Sequence, residues 1–146
     1  MKVFLGGTCA DSKWRDEIEP LLERSGLDYF NPVVDDWNEA AQAQEVQERQ
    51  NCDFVLYVIT PKMEGVYSIA EVVEDSIKRP EKTIFVVLDK DGGSSFSKGQ
   101  KKSLDAVSEM VRRNGGQSFN SLQNAVTRMS QVKSMMSHIK NVVQEK

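Results

Sequence analysis

Asp53-Phe54-Val55-Leu56-Tyr57-Val58-Ile59-Thr60 is the stretch on which the fold turns. Between its polar ends the run is apolar without interruption. A strand with one wet face alternates, whereas a strand covered on both faces does not need to. Such a strand requires helices on either side, and the flanking sequence supplies them. Asn38 to Asn51 is rich in Ala, Gln and Glu and reads as a helix. After the loop Pro61 to Gly65, Val66 to Lys78 reads as a second, with Pro80 just beyond it.

The same alternation extends outward. Val3 to Leu5 is a short apolar strand closed by Gly6-Gly7-Thr8. From about Lys13 to Ser25 a helix is expected: Trp14, Ile18, Leu21 and Leu22 share one face. Ser12 is placed to cap it, Asp16, Glu17 and Glu19 suit its positive end, and Gly26 stops it. Leu27 to Phe30 is a strand ended by Asn31-Pro32, and Val33 to Trp37 is a loop holding Asp35-Asp36. Thr83 to Leu88 is a further apolar strand, Asp89 to Ser95 a Gly/Ser loop, and Phe96 to Arg113 a helix stopped by Asn114-Gly115-Gly116. Gln117 to Phe119 fits a short fifth strand. From Ser121 onward, Leu122, Val126, Met129, Val132, Met136, Ile139 and Val143 recur at helical steps. The expected class is α/β: one domain over residues 1–146, a three-layer Rossmann-like or flavodoxin-like parallel sheet of about five strands, helices on both faces.

Composition narrows the function. The net charge is −3, and the basic clusters Lys98 to Lys102 and Arg112-Arg113 lie in helix-like stretches with acids nearby. They read as solvated faces, which disfavours nucleic-acid binding. The two cysteines, Cys9 and Cys52, form no CxxC pair, and His138 is the lone histidine, so no metal site of standard spacing can be written. Two buried thiols in a reducing compartment are expected, rather than a Cys–His nucleophile. No apolar run is long enough to span a membrane, and MKVFLGGT has too short an apolar core for a signal peptide. The expectation is a cytoplasmic protein without metal or cofactor.

In open parallel sheets ligands sit beyond the carboxyl ends of the strands. Here those ends are Gly6-Gly7-Thr8, Asn31 to Trp37, Thr60 to Gly65 and Asp89 to Ser95. Gly6-Gly7 allows close approach to the backbone, though GGTCAD is neither a GxGxxG nor a Walker pattern, and a plain tight turn explains it equally. Gly65-Val-Tyr-Ser-Ile-Ala-Glu71 opens a helix whose first N–H groups suit an anion or sugar oxygens. That makes Gly65, Tyr67 and Ser68 candidate ligand contacts. Glu71 falls on the second turn between Ala70 and Val72. A carboxylate there is either salt-bridged or functional. Glu45, Asp53, Glu64 and Glu74 are further acids among which charge alone does not choose.

VFLGGTCADSKWRDEIEPLL, YFNPVVDDW, EVQERQNCD (Glu45 to Asp53) and FVLYVITPKMEGVYSIAEV together resemble the nucleoside 2-deoxyribosyltransferase superfamily, from Val3 to about Leu88. The resemblance implies that Glu71 attacks the anomeric carbon of the sugar. It implies that Glu45, where the family usually has Asp, meets the base. It also expects a first-strand tyrosine beside the nucleophile, where this chain has Phe4, so the role is either unfilled or passed to another residue such as Tyr67. An acid six residues before the nucleophile is replaced by Gly65, with Glu64 one position off. The chemistry is sensible in itself: a carboxylate beneath the anomeric carbon stabilises, or traps, an oxocarbenium-like centre. The departing base needs a proton or hydrogen bond from an acid such as Glu45 or Asp36.

Three functions follow as expectations. The first is transfer of the sugar from a nucleoside to a second base. Another is hydrolysis of a deoxynucleoside 5′-monophosphate, with Lys62 and the helix start at Gly65 near the phosphate. The last is a nucleotide-binding module without turnover. The resemblance also implies a homo-oligomer with shared pockets. The methionine-rich last helix and the loop Gly92 to Lys98 fit that, with Ser97 or Gln100 reaching the sugar's 5′ end in a partner.

Overall fold

The structure is a computed structural model that describes residues 1–9 and 11–146. In chain order the elements are β1 (Lys2–Gly7), α1 (Trp14–Arg24), β2 (Asp28–Phe30), α2 (Glu39–Asn51), β3 (Phe54–Ile59) and α3 (Tyr67–Lys78). A 3-10 turn, Pro80–Lys82, then leads into β4 (Thr83–Val87), β5 (Lys90–Asp91), β6 (Ser94–Ser95), α4 (Lys98–Arg113), β7 (Gln117–Phe119) and α5 (Leu122–Gln144). The main sheet runs β2-β1-β3-β4-β7, and every neighbouring pair is parallel. The chain steps from β1 out to β2, then returns past β1 to β3. That reversal makes the carboxyl ends of β1 and β3 the topological switch point, where an open sheet leaves a crevice.

Side chains alternate across the sheet with period two. Val3, Leu5, Leu56, Val58 and Val86 meet Trp14, Ile18 and Leu22 of α1 and Val126 and Met129 of α5 on one face. Phe4, Val55, Tyr57, Ile59 and Phe85 meet Val72 of α3 and Leu104 and Val111 of α4 on the other. Both faces are covered, which is why all of β3 is buried and why its sequence shows no polar alternation. The three-layer α/β arrangement expected from the pattern is therefore the one observed.

Four local expectations need correction. Ser12 does not cap α1: Lys13 precedes the helix without a side-chain cap, and the Ser12 hydroxyl instead donates to Asp91 Oδ2 at 2.6 Å. The Asp89–Ser95 loop contains an antiparallel hairpin, β5 with β6, turned by Gly92-Gly93 with Gly92 at φ 60°. Its strands carry no apolar residue, so periodicity had nothing to register. Cys9 is exposed and only Cys52 is buried, because Cys9 lies past the end of β1. On α5 the apolar stripe packs on the core only as far as Val132, whereas Met135, Met136, Ile139 and Val143 are exposed.

Helix α2 departs from the scheme. It has no buried residue, so apolar packing does not hold it. Asn38 caps it by accepting from the Ala41 N–H at 2.9 Å. At the other end Glu48 takes Lys2 Nζ at 2.8 Å, and Arg49 reaches across to α3.

Candidate active site

The crevice at the switch point is bounded by Gly7, Thr8 and Cys9 after β1, Ile59 at the end of β3, and Glu64, Gly65, Tyr67 and Ser68 at the start of α3. Its enclosed volume is about 160 Å³. Whole-ligand pockets usually run to about 300–1,000 Å³, so this one suits a fragment the size of a pentose. A larger apolar groove of about 1080 Å³ lies between α3 and α4, and Met63, after β3, borders both it and the crevice. Size alone would favour it, but it is mainly lined by Met63, Ile69, Val73, Leu104 and Val107, with Glu74 as its one carboxylate. The crevice is the better candidate because it lies at the carboxyl ends of β1 and β3, and the helix that forms its wall at Tyr67 and Ser68 carries Glu71 one turn further on.

Glu71 lies one helical turn beyond Tyr67 and Ser68 and is half-buried. Its Oε2 is 3.4 Å from Arg49 Nη1. Burial raises the Glu71 carboxyl above its ordinary range; Arg49 pulls the other way, and Glu45, Asp75 and Glu74 add to the rise. Glu45 has no ion-pair partner among the described residues, yet its charge is felt both by Glu71 and by Arg15, which bonds the carbonyl of the crevice-lining Thr8. Arg15 is buried, with Nη1 on the Thr8 carbonyl at 2.8 Å and Nη2 on the Leu5 carbonyl at 3.0 Å.

Behind Glu71 is a polar cluster in an otherwise apolar layer. Arg49 gives Nε to Tyr57 Oη at 2.9 Å and to Asp75 Oδ2 at 3.0 Å. Its Nη2 donates to Asp75 Oδ1 at 3.1 Å and to the Glu71 carbonyl at 3.2 Å. The Tyr57 hydroxyl donates to Asp75 Oδ2 at 2.6 Å, and Arg79 Nε stands 3.2 Å from Oδ1. Burial, reinforced by Asp75, pushes the Tyr57 phenol far up, so it stays protonated. Burial opposes the charge on Arg49, but Asp75 and the neighbouring groups outweigh it.

The remaining sequence candidates fall in different places. A Cβ on Gly6 would meet the Tyr57 ring at 2.7 Å, and one on Gly7, whose φ is +121°, would overlap the Val58 carbonyl. Close strand packing therefore accounts for both glycines before any ligand is invoked. Thr8 is buried: its hydroxyl accepts the Thr60 N–H, and its carbonyl takes Trp14 and Arg15. Gly65 has open space beside it, which leaves that wall accessible. Tyr67 is 74% exposed, so it flanks the mouth rather than backing Glu71. Asp36 is exposed in its loop. Ser97 and Gln100 satisfy each other in a capping box at the start of α4, and Gln100 borders the apolar groove rather than the crevice.

Sequence reasoning missed Arg49, Tyr57, Asp75 and the clasp at Asp91. The last accepts from Ser12 Oγ and Thr60 Oγ1, both at 2.6 Å, with Lys62 Nζ 3.9 Å away. Burial works to raise its carboxyl, but these three partners outweigh it and hold it below the usual range. A signal for the cluster existed: Tyr57 is the one hydroxyl in an aliphatic strand, and Glu71 and Asp75 form an acid pair at i, i+4 that needs a cation.

Residues 1–91 match the family model described as nucleoside 2-deoxyribosyltransferase like. The chain belongs to this family. No curated protein and no solved structure matches it. The family match covers the crevice, α2, α3 and Asp91, and ends before α4, so Ser97 and Gln100 lie outside it. No helix is long and apolar enough to cross a membrane among the described residues, and none of their His, Cys, Asp and Glu side chains cluster as metal ligands.

Proposed function

We propose that this chain cleaves the N-glycosidic bond of a (deoxy)nucleoside with Glu71 as nucleophile and passes the sugar to another base. The observation that carries this reading is the half-buried Glu71 carboxylate, one turn along α3 from the Tyr67 and Ser68 that wall a sugar-sized crevice at the switch point. Its oxygen attacks the anomeric carbon as the carbon–nitrogen bond breaks, and the base leaves with the bonding pair and takes up a proton. A ring nitrogen of the second base then displaces the carboxylate and gives up its proton, which balances the one taken up by the first base, so the sugar keeps its configuration. The test is a panel of nucleosides and nucleoside monophosphates assayed for base release with and without an acceptor base. Exchange that needs the acceptor supports transfer. Release from monophosphates in water alone would replace this reading with the hydrolase, and binding without turnover would replace it with a sensor. Lys62, the cation best placed for a 5′-phosphate, already faces Asp91, which favours an unphosphorylated substrate.

Glu45 is the proposed base contact, with its oxygens accepting from an amino group or ring N–H. Glu45→Gln should raise KM for amino-bearing bases about tenfold or more, the loss of one charged hydrogen bond. Asp36→Ala should do less, since Asp36 is exposed in its loop. Equal base preference in wild type and Glu45→Gln, by competition between two acceptor bases, removes Glu45 from the site.

A homo-oligomer is also proposed, on the exposed apolar residues of α5 and α3. Val143 of α5, Ile77 of α3 and Val66 just before α3 are each about two-thirds exposed, at 67%, 65% and 69%. Light scattering should report at least a dimer. A fully active 16.5 kDa particle would rule out a shared site and leave Ser97 and Gln100 without a role.

A further inference from the structure

We propose that Arg49 is the positioning residue of the site: fixed by Asp75 and Tyr57, it holds the Glu71 carboxylate in one place as the anion and helps dock α2, with Glu45, against α3. The inference rests on the proposed role of Glu71 and adds to it a residue from a helix that apolar packing does not hold.

Geometry makes the case first. Arg49 engages both Asp75 oxygens, and the Tyr57 hydroxyl fixes its Nε from a third element. A guanidinium held in this way by β3 and α3 cannot swing freely. Its Nη1 is then left facing Glu71 Oε2 at 3.4 Å. That distance is longer than the about 2.7–2.9 Å of a tight charged hydrogen bond. The carboxylate is oriented without being clamped, as a group that must form a bond to carbon requires.

Charge counting makes the case a second time. Two cations, Arg49 and Arg79, meet the buried Asp75. With Glu71 ionised the cluster is neutral; with Glu71 protonated it carries one uncompensated positive charge in a low-dielectric layer. Glu74 also touches Arg49, at 3.4 Å, but is half-exposed and shared with Lys78 at 3.5 Å. The groups facing Glu71 are Arg49 and Glu45 from α2, Asp75 and Glu74 from α3, and Tyr57 from β3. Arg49 is the one cation among them.

Arg49 is also four residues after Glu45, on the same side of α2. No residue of α2 is buried, so polar bonds tie this helix to α3: those of the Arg49 side chain to Asp75 and the Glu71 carbonyl, joined by one from Arg79 to the Arg49 carbonyl. One side chain therefore sets the state of the nucleophile and helps set the place of the base-contacting acid.

The sign of the effect follows. Removing Arg49 leaves burial and three carboxylates acting on Glu71, all raising its pKa. Glu71 then protonates at higher pH, and turnover is lost at higher pH as the solution is acidified. The experiment is a carbon-13 carboxyl titration of wild type, Arg49→Lys and Arg49→Met, with the Glu71 resonance assigned through Glu71→Gln. The acid limb of kcat/KM is measured alongside. Both should move up by about one pH unit or more in Arg49→Met, and by less in Arg49→Lys, which keeps the charge but not the fork. KM should rise together with the fall in kcat, because α2 loosens. If Arg49→Met does not fold, the smaller shift in Arg49→Lys carries the test. A Glu71 midpoint that stays put in a folded variant overturns the proposal, and so does a midpoint that moves while the acid limb does not. Failure of the parent reading looks different: the titration responds to Arg49, but wild type releases no base from any substrate.

Discussion

Glu71→Gln should lower base release or exchange by at least about a thousandfold while the protein stays folded, since a nucleophile that acts with its partners is lost as a unit. The amide has nearly the shape of the carboxylate and keeps an oxygen for Arg49 Nη1, now 3.4 Å from Oε2. What disappears is the charge that stabilises the oxocarbenium-like centre and the lone pair that bonds to it. Initial rates by chromatography, with thermal melts as the control for folding, give the comparison. Activity within about tenfold of wild type would show that Glu71 is only the salt-bridged acid its surroundings also allow.

Asp75→Ala should destabilise the fold by about 3–5 kcal/mol, the cost of leaving a buried ion-pair network with an uncompensated charge. Asp75 is fully buried and serves Arg49, Arg79 and the Tyr57 hydroxyl together. Its loss strands two guanidiniums and a phenol in the layer between β3 and α3. Glu74→Ala is the control, because Glu74 is half-exposed and its ion pairs are of the kind worth about 1 kcal/mol or less. Urea unfolding of the two variants should separate them clearly. Equal losses would mean that the cluster is held by the surrounding apolar packing and that Asp75 adds little.

The α/β class and most of the element order were legible in the sequence. An apolar run such as Phe54 to Ile59 has only one good environment, between two helical layers, and local periodicity reports it directly. Gly26 marked its helix boundary through a backbone rule that needs no knowledge of the rest of the chain. Glu71 could be singled out because its helix follows the central strand and its spacing resembles the family pattern. The hairpin of β5 and β6 was not legible, since Lys90-Asp91 and Ser94-Ser95 carry no pattern for burial to select.

Tertiary structure alone decided what surrounds Glu71. Residues 49, 57, 71 and 75 come from three elements, and no local rule pairs a polar residue on a sparsely packed helix with a phenol in a buried strand. Their meeting depends on the register that sets Tyr57 beside Gly6 and on the angle at which α3 crosses β3. It also supplied a packing reason for the glycine pair, since Gly6 makes room for the Tyr57 ring and Gly7 for the β3 backbone. The physical reason is range. Hydrophobic periodicity is written along the chain, residue by residue. Compensation of a buried charge is satisfied through space, by whichever side chain the fold brings within a few ångströms.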